Sequence, residues 1–358
     1  MYNIHLLPAS FGDAILIEYG DQTVNYILID GGPYFNFEEM IKGLKKVAPN
    51  LTSLELLVIS HIDIDHIDGI ITLLNQDELP FEIREVWFNG YKQLKEAEDL
   101  LGPLQGEYLS LRIKANKIPH NQSFGGGPVV IIDYSTLPVI QLPGGMKLTL
   151  VNPGVKALVK LGEKWSTVLD EIGDEEKIEK RFASDLRYDE DIDDLLGDEP
   201  TMEDLQTGTI PGDKSEANLS SIAFIGEYEE KTCLFAADAP SDSILPAIEA
   251  LIQHTGEDTL KLNAWKLAHH GSKKSTLNKL MEKLYCKQIL VSSNGKRYKH
   301  PDPETIARII GVNGPDVHFF FNYPTSFNQR WSNGDAQEQY HFKSWYPGEN
   351  SAGITIKL

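Results

Sequence analysis

Leu54-Glu55-Leu56-Leu57-Val58-Ile59 is an apolar run of strand type that delivers the chain directly into Ser60-His61-Ile62-Asp63-Ile64-Asp65-His66-Ile67-Asp68-Gly69. The densest polar cluster of the sequence thus follows a buried strand, where open α/β sheets place their ligands. Read as an extended stretch ahead of a helix that begins near Gly69, the cluster turns His61, Asp63 and Asp65 to one side while Ile62 and Ile64 anchor the other. Two imidazoles and two carboxylates within six residues form a metal-ligand set. Carboxylates this close repel one another unless a cation is present, and neutral imidazole with carboxylate suits zinc, iron or manganese.

Around this cluster, hydrophobic periodicity predicts strands at 2–7, 14–19 and 26–30 and a helix at 37–47. It continues with a strand at 83–88, two helices between 91 and 114, and strands near 129–134 and 146–151. Strands follow at 222–228, 232–236, 265–268, 288–292 and 317–322, with helices at 241–253, 276–285 and 303–310 and a last pair of strands around 341–345 and 353–358. Two β-rich halves, each with its own helices, predict an α/β fold built as a four-layer αββα sandwich. The expected division is an N-terminal half at 1–154, an acidic, partly helical insertion at 155–217, and a C-terminal half at 218–358. Within the insertion, 157–172 and 175–186 look helical, whereas 189–213 is acidic and poor in apolar residues.

With 358 residues, 41% hydrophobic and 24% charged, the chain has an ordinary globular composition and length enough for a large core. Disordered, collagenous and disulfide-stapled classes are excluded. The first residues lack the basic start and cleavage site of a signal peptide, and no apolar run approaches the ~18–20 residues of a bilayer span. Only Cys233 and Cys286 are present, without a C-x-x-C pattern, so the expectation is a cytoplasmic protein with no membrane partner. Net charge is −20, from 33 Lys and Arg against 53 Asp and Glu, which opposes non-specific attraction to a polyanion. Much of that excess lies in 155–217, with 19 acidic and 8 basic residues, either a solvated loop or an element that docks a protein partner.

Two further clusters carry chemistry. Lys266-Leu267-Ala268-His269-His270-Gly271-Ser272 is a short strand that delivers adjacent histidines into a glycine turn. In Thr232-Cys233-Leu234-Phe235-Ala236-Ala237-Asp238, a carboxylate follows a buried strand, as a helix N-cap or as a ligand. Together the three clusters resemble the metallo-β-lactamase superfamily, whose signature is His-x-His-x-Asp-His after a strand, a later strand-borne Asp and a His nearer the C-terminus. The chain is most similar to the soluble hydrolase domain group of the ComEC type. The supporting landmarks are Gly12-Asp13-Ala14, Leu28-Ile29-Asp30-Gly31-Gly32, Asn218 to Ser221, His269 to Ser272, Asn294-Gly295 and His300-Pro301.

The resemblance implies a binuclear hydrolase in which His61 and Asp63 hold the first of two divalent ions and Asp65 and His66 the second. Asp238 bridges both, and His269 completes the second site, with His270 the competing residue. Asp63 stands where the family has its second histidine, which makes that ligand harder and tilts the preference from zinc toward manganese or iron. The family's histidine before the later hairpin has no counterpart, and Asn218 and Ser220 are the nearest polar candidates. A metal pair acidifies a bound water to a pKa of about 7, so that metal-bound hydroxide attacks and Asp65 orients it. His300 would protonate a leaving oxygen or clamp a phosphoryl oxygen. Asn294, Lys296, Arg297 and Lys299 surround it in the most basic patch of the chain, Ser272 hydrogen-bonds near the histidine turn, and His120 reads as a loop residue. The expected function is a phosphodiesterase or nuclease acting on nucleic acid or nucleotide. The alternatives are a small-molecule phosphodiester, ester or lactone hydrolase and a weakly catalytic metal-binding subunit that docks a protein.

Overall fold

The computed structural model describes residues 1–90, 103–172 and 200–358. Its first sheet contains β1 (Tyr2–Leu6), β2 (Ile15–Tyr19), β3 (Asn25–Ile29), β5 (Leu56–Val58), β7 (Val86–Trp87) and β16 (Ile354–Lys357), in the order β16-β1-β2-β3-β5-β7. The second contains β8 (Val139–Gln141), β9 (Lys147–Asn152), β10 (Ala223–Tyr228), β11 (Lys231–Phe235), β12 (Leu260–Lys266), β13 (Leu284–Val291), β14 (Val317–Phe321) and β15 (Phe342–Trp345), in the reverse of sequence order. A separate parallel pair joins β4 (Ser53–Leu54) to β6 (Glu82–Ile83).

Side-chain alternation explains the layers. Ile15, Ile17, Ile27, Ile29, Leu56 and Val58 enter the core that also holds Leu148, Leu150, Phe224 and Phe235 of the second sheet. Their neighbours Leu16, Leu28 and Leu57 point the other way, toward a second apolar cluster under α1 (Phe37–Val47), α2 (Ile64–Leu74) and α3 (Pro103–Ala115). The helices connecting parallel strands of the second sheet, α7 (Ser241–Thr255) and α9 (Pro303–Asn313), contribute Ile244, Ile248, Ile306 and Ile309 to the larger cluster. The layer order is helix, sheet, sheet, helix, the expected αββα sandwich. Sheet membership crosses the expected halves: β8 and β9 lie beside β10 in the second sheet, and β16 closes the first.

Several elements differ from the sequence reading. The helix after the histidine cluster starts at Ile64, not near Gly69, so Asp63 is its extended N-cap and Asp65 and His66 sit in the first helical turn. Both periods fit six residues, but Ile67, Ile70, Ile71 and Leu74 continue the helical one into the core. The strand expected at 83–88 is split between β6 and β7, which belong to different sheets, and residues 129–134 supply a single bridge, Ile131 to Gly154. Residues 276–285 form only the one-turn α8 (Asn278–Met281) before β13 begins. In the acidic segment, the helix expected at 157–172 is α4 (Val155–Ile172), while 175–186 and much of 91–114 lie outside the described residues. The end of that segment is structured: α5 (Met202–Gln206) rests on α9, where the buried Arg308 donates to the carbonyls of Leu205, Thr207 and Gly208. Among the described residues, no helix is long and apolar enough to cross a membrane.

Strand direction decides where chemistry collects. β3 and β5 are parallel and β2 runs against them, so Asp13, Asp30 and Ser60-His61 emerge at one edge. β11, β12 and β13 are parallel and release Asp238, His269-His270 and Ser292. Those two sets of loops meet, tied by Ser292 Oγ to Gly12 O at 3.1 Å, Ile222 N to Ser60 O at 2.8 Å and Asn294 Nδ2 to Ser10 Oγ at 2.9 Å.

Candidate metal centre

Hydrogen-bond accounting fixes the imidazoles. Ser60 N and Oγ both donate to the fully buried Asp30, at 2.8 and 2.6 Å. With its proton committed to Asp30, Ser60 Oγ accepts from His61 Nδ1 at 3.0 Å. His66 Nδ1 donates to Asp30 at 2.8 Å, and His270 Nδ1 donates to the carbonyl of Ser292 at 2.8 Å. Each ring therefore turns Nε2 inward as a free donor atom, the arrangement that outer partners impose on metal-binding histidines.

The inward atoms converge on Asp238. His66 Nε2 lies 3.3 Å from its Oδ1, while His61 Nε2 and His270 Nε2 each lie 3.9 Å and His269 Nε2 3.7 Å from its Oδ2. Asp65 Oδ2 is 3.3 Å from His270 Nε2 and 4.0 Å from His66 Nε2, and Asp63 Oδ2 is 3.5 Å from His61 Nε2. His61, His66 and Asp238 form one compact donor group, and Asp65, His66 and His270 a second. Donors bonded to an ion at ~2.0–2.2 Å stand about 3–4 Å from their neighbours in the shell, so the residues fit a pair of cations. The Nε2 atoms of His61, His66 and His270 and Oδ1 of Asp238 are buried without a hydrogen bond, which is costly unless a ligand satisfies them.

Electrostatics agree. Burial disfavours a charged His270, but Asp238 and Asp13 outweigh it and raise its pKa to about 10. His66 is driven up in the same way by Asp238 and Asp30. Burial raises the Asp238 pKa, yet His66, His269 and His270 bring it well below the usual carboxylate range. These donors are arranged around positive charge, supplied by protons or by metal ions that displace them.

Of the adjacent histidines, the structure groups His270, the competing residue, with Asp65 and His66. His270 is fully buried, whereas His269 is 22% exposed and reaches the same Asp238 oxygen, Oδ2, from beside Asp213. The reason is the turn: His269, His270 and Gly271 all have positive φ, 48°, 56° and 89°, which rotates His270 beneath Ser292. His269 Nδ1 lies 3.3 Å from Asp213 Oδ2, 3.2 Å from Asn218 Nδ2 and 3.2 Å from Ser275 Oγ. Asn218 leaves its buried Oδ1 without a hydrogen bond, but Ser220 donates to Ala217 O and takes no part. Ser272 N closes the turn on His269 O, and His120 bonds Phe88 O in its loop.

The basic segment sits alongside. Asn294 anchors it to Ser10, and its Oδ1 accepts from Lys296 N at 3.0 Å. The His300 ring is 5.3 Å from that of His269. Burial, then His269 and His270, lower its pKa to about 3, which favours a neutral imidazole at the position from which His300 is expected to protonate a leaving oxygen or clamp a phosphoryl oxygen. Lys296 and Arg297 are exposed.

Sequence reasoning assigned no role to Asp30, Asp13, Lys266 or Asp213. Asp30 lay within a quoted landmark, and Asp13 and Lys266 form a buried ion pair beside His270, with Asp13 Oδ1 3.4 Å from its Nδ1. A lysine that follows Ala264-Trp265 and precedes Leu267-Ala268, at the buried end of β12, is the signal for that pair. Glycines permit the close approach: a Cβ on Gly12 would lie 1.8 Å from Asp65 O, and one on Gly69 2.0 Å from Gly31 O.

Layers and site together define an αββα protein with a candidate two-cation centre at one edge of the sandwich. No protein-family model and no curated protein matches the sequence. Among solved structures, the chain is similar to Igni18, a metallo hydrolase from the hyperthermophilic archaeon Ignicoccus hospitalis, at 12% identity over 99% of both chains with a TM-score of 0.42. It is similar to Zn(2+)-bound PqqB from Methylobacterium extorquens at 9% identity over 99% of this chain and 100% of that one, TM-score 0.42. It is also similar to CmlA, a diiron β-hydroxylase from Streptomyces venezuelae, at 12% identity over 99% of this chain and 54% of that one, TM-score 0.41.

Proposed function

We propose that the chain is a metal-dependent hydrolase that cleaves phosphodiesters. The observation that carries this reading is the set of buried, unpaired imidazole nitrogens around Asp238, with Asp65 beside them. Two divalent cations, manganese, iron or zinc, would supply Lewis acidity and an acidified water. His61, Asp63 and Asp238 would hold one ion, and Asp65, His66, His270 and Asp238 the other, with His269 and Asn218 adjoining the first group. Asp30 and Ser60 keep His61 and His66 in the required tautomer, and the Ser292 carbonyl does so for His270. Lys296 and Arg297 offset substrate charge locally, against the repulsion a net charge of −20 exerts on a polyanion at distance. His300 donates a hydrogen bond to a phosphoryl oxygen. The ComEC-type resemblance supports the same reaction class.

The metal-replete chain is expected to hydrolyse bis(4-nitrophenyl) phosphate, and Lys296→Ala with Arg297→Ala is expected to lower kcat/KM by roughly tenfold through lost charge stabilisation. Turnover of 4-nitrophenyl acetate or a lactone, without diester cleavage under any of the three metals, would contradict the reading in favour of an ester or lactone hydrolase.

A further inference from the structure

Beside the centre, three aromatic rings from separate loops form a continuous run. Phe11 lies between β1 and β2, Phe35 in the turn after β3, and Tyr298 in the basic loop after β13. The Phe11 and Phe35 centroids are 5.8 Å apart, and Phe11 meets Tyr298 edge-on at 5.9 Å. Tyr298 stacks on His300 at 6.2 Å with 27° between the planes and lies 6.3 Å from His269, so the run reaches the donor cluster. Burial, with the charges of Asp65, Asp63 and Asp238, raises the Tyr298 pKa.

Phe11 is buried, but Phe35 remains 42% and Tyr298 39% exposed. The Arg297 guanidinium lies 5.3 Å from the centres of both the Phe11 and Tyr298 rings, with Lys296 and Lys299 on the same loop. Exposed ring surface with a guanidinium beside it fits a planar, electron-rich group attached to an anion. The flanking cations disfavour a purely aliphatic occupant, and the negative charge of the rest of the chain makes this patch the place where an anionic group is best received.

We propose that Phe35 and Tyr298, with Arg297 beside them, form a stacking ledge for a nucleobase attached through its sugar to the phosphate at the centre. This rests on the phosphodiesterase reading and adds that the diester carries a base on the ledge side. The test pairs thymidine 5′-(4-nitrophenyl phosphate) with methyl 4-nitrophenyl phosphate, which share the leaving group and differ in the base. Calorimetric affinities of the metal-replete chain for thymidine 5′-monophosphate and methyl phosphate provide a readout that needs no turnover.

Wild type is expected to prefer the thymidine compound in both measurements. Phe35→Ala and Tyr298→Leu are each expected to reduce that preference about tenfold, within the range of stacking on one aromatic side chain. Preservation of the preference in both variants, or its absence in wild type, would overturn the ledge even if both esters are hydrolysed. Ledge-dependent binding without hydrolysis of either ester would sustain the ledge and overturn the phosphodiesterase reading instead. Oligothymidylate binding more tightly than the monophosphate, with a steep salt dependence, would identify a polynucleotide as the source of the base, and equal affinity a free nucleotide.

Discussion

Asp238→Asn is expected to leave fewer than one metal ion per chain and to lower diester turnover by at least about 10²-fold, because even the outer partners of metal ligands are worth 10- to 100-fold. Asp238 is the carboxylate whose oxygens lie within 3.3–3.9 Å of all four inward histidine nitrogens, so both donor groups depend on it. Asparagine preserves shape and removes the charge that raises the pKa values of His66 and His270. In wild type, metals that bind only the folded chain are expected to raise Tm, since saturation at ~10³ times Kd is worth about 4 kcal/mol. In Asp238→Asn the difference in Tm between metal-replete and chelator-treated protein should largely vanish. Two ions per chain and turnover within tenfold of wild type would contradict the bridging role.

The second large effect concerns the buried pair beneath His270. Lys266→Met is expected to destabilise the fold by ~3–5 kcal/mol, because it removes the cation nearest the buried Asp13 carboxylate and leaves His270 as its remaining partner. Burial raises the Asp13 pKa, but Lys266 and then His270 overcome it and hold the carboxyl below its ordinary range. Adding Asp13→Asn to Lys266→Met is expected to recover much of the loss, since replacing both members of a buried pair costs far less than removing one. Denaturant unfolding of the metal-free proteins measures both. A Lys266→Met change within about 1 kcal/mol of wild type, or a double variant no more stable than the single one, would remove the pair from the account.

The parts of this molecule legible in the sequence were those encoded locally. An apolar run followed by His61, Asp63, Asp65 and His66 announces a donor cluster at a strand end, and strand alternation announces two sheets. The order of His269 and His270 was not legible, because it depends on positive backbone φ at consecutive non-glycine residues. The start of α2 is not legible either, because alternation and helical period coincide over His61 to Asp65 and separate only in the following isoleucines. Asp213 was hidden by composition: one carboxylate held against His269 looks like any other of the 19 acidic residues between 155 and 217. Asp30 illustrates the converse, a residue conspicuous at the end of its strand whose role appears only when Ser60 and His66 fold onto it.

The most direct test is the number and position of metal ions in protein purified without chelating resin, by elemental analysis together with anomalous scattering from crystals. Two ions per chain are expected, one against His61 and Asp238 and the other against Asp65, His66 and His270. One ion or none after supplying manganese, iron and zinc, or a second ion held by His269 with His270 unligated, would contradict that arrangement.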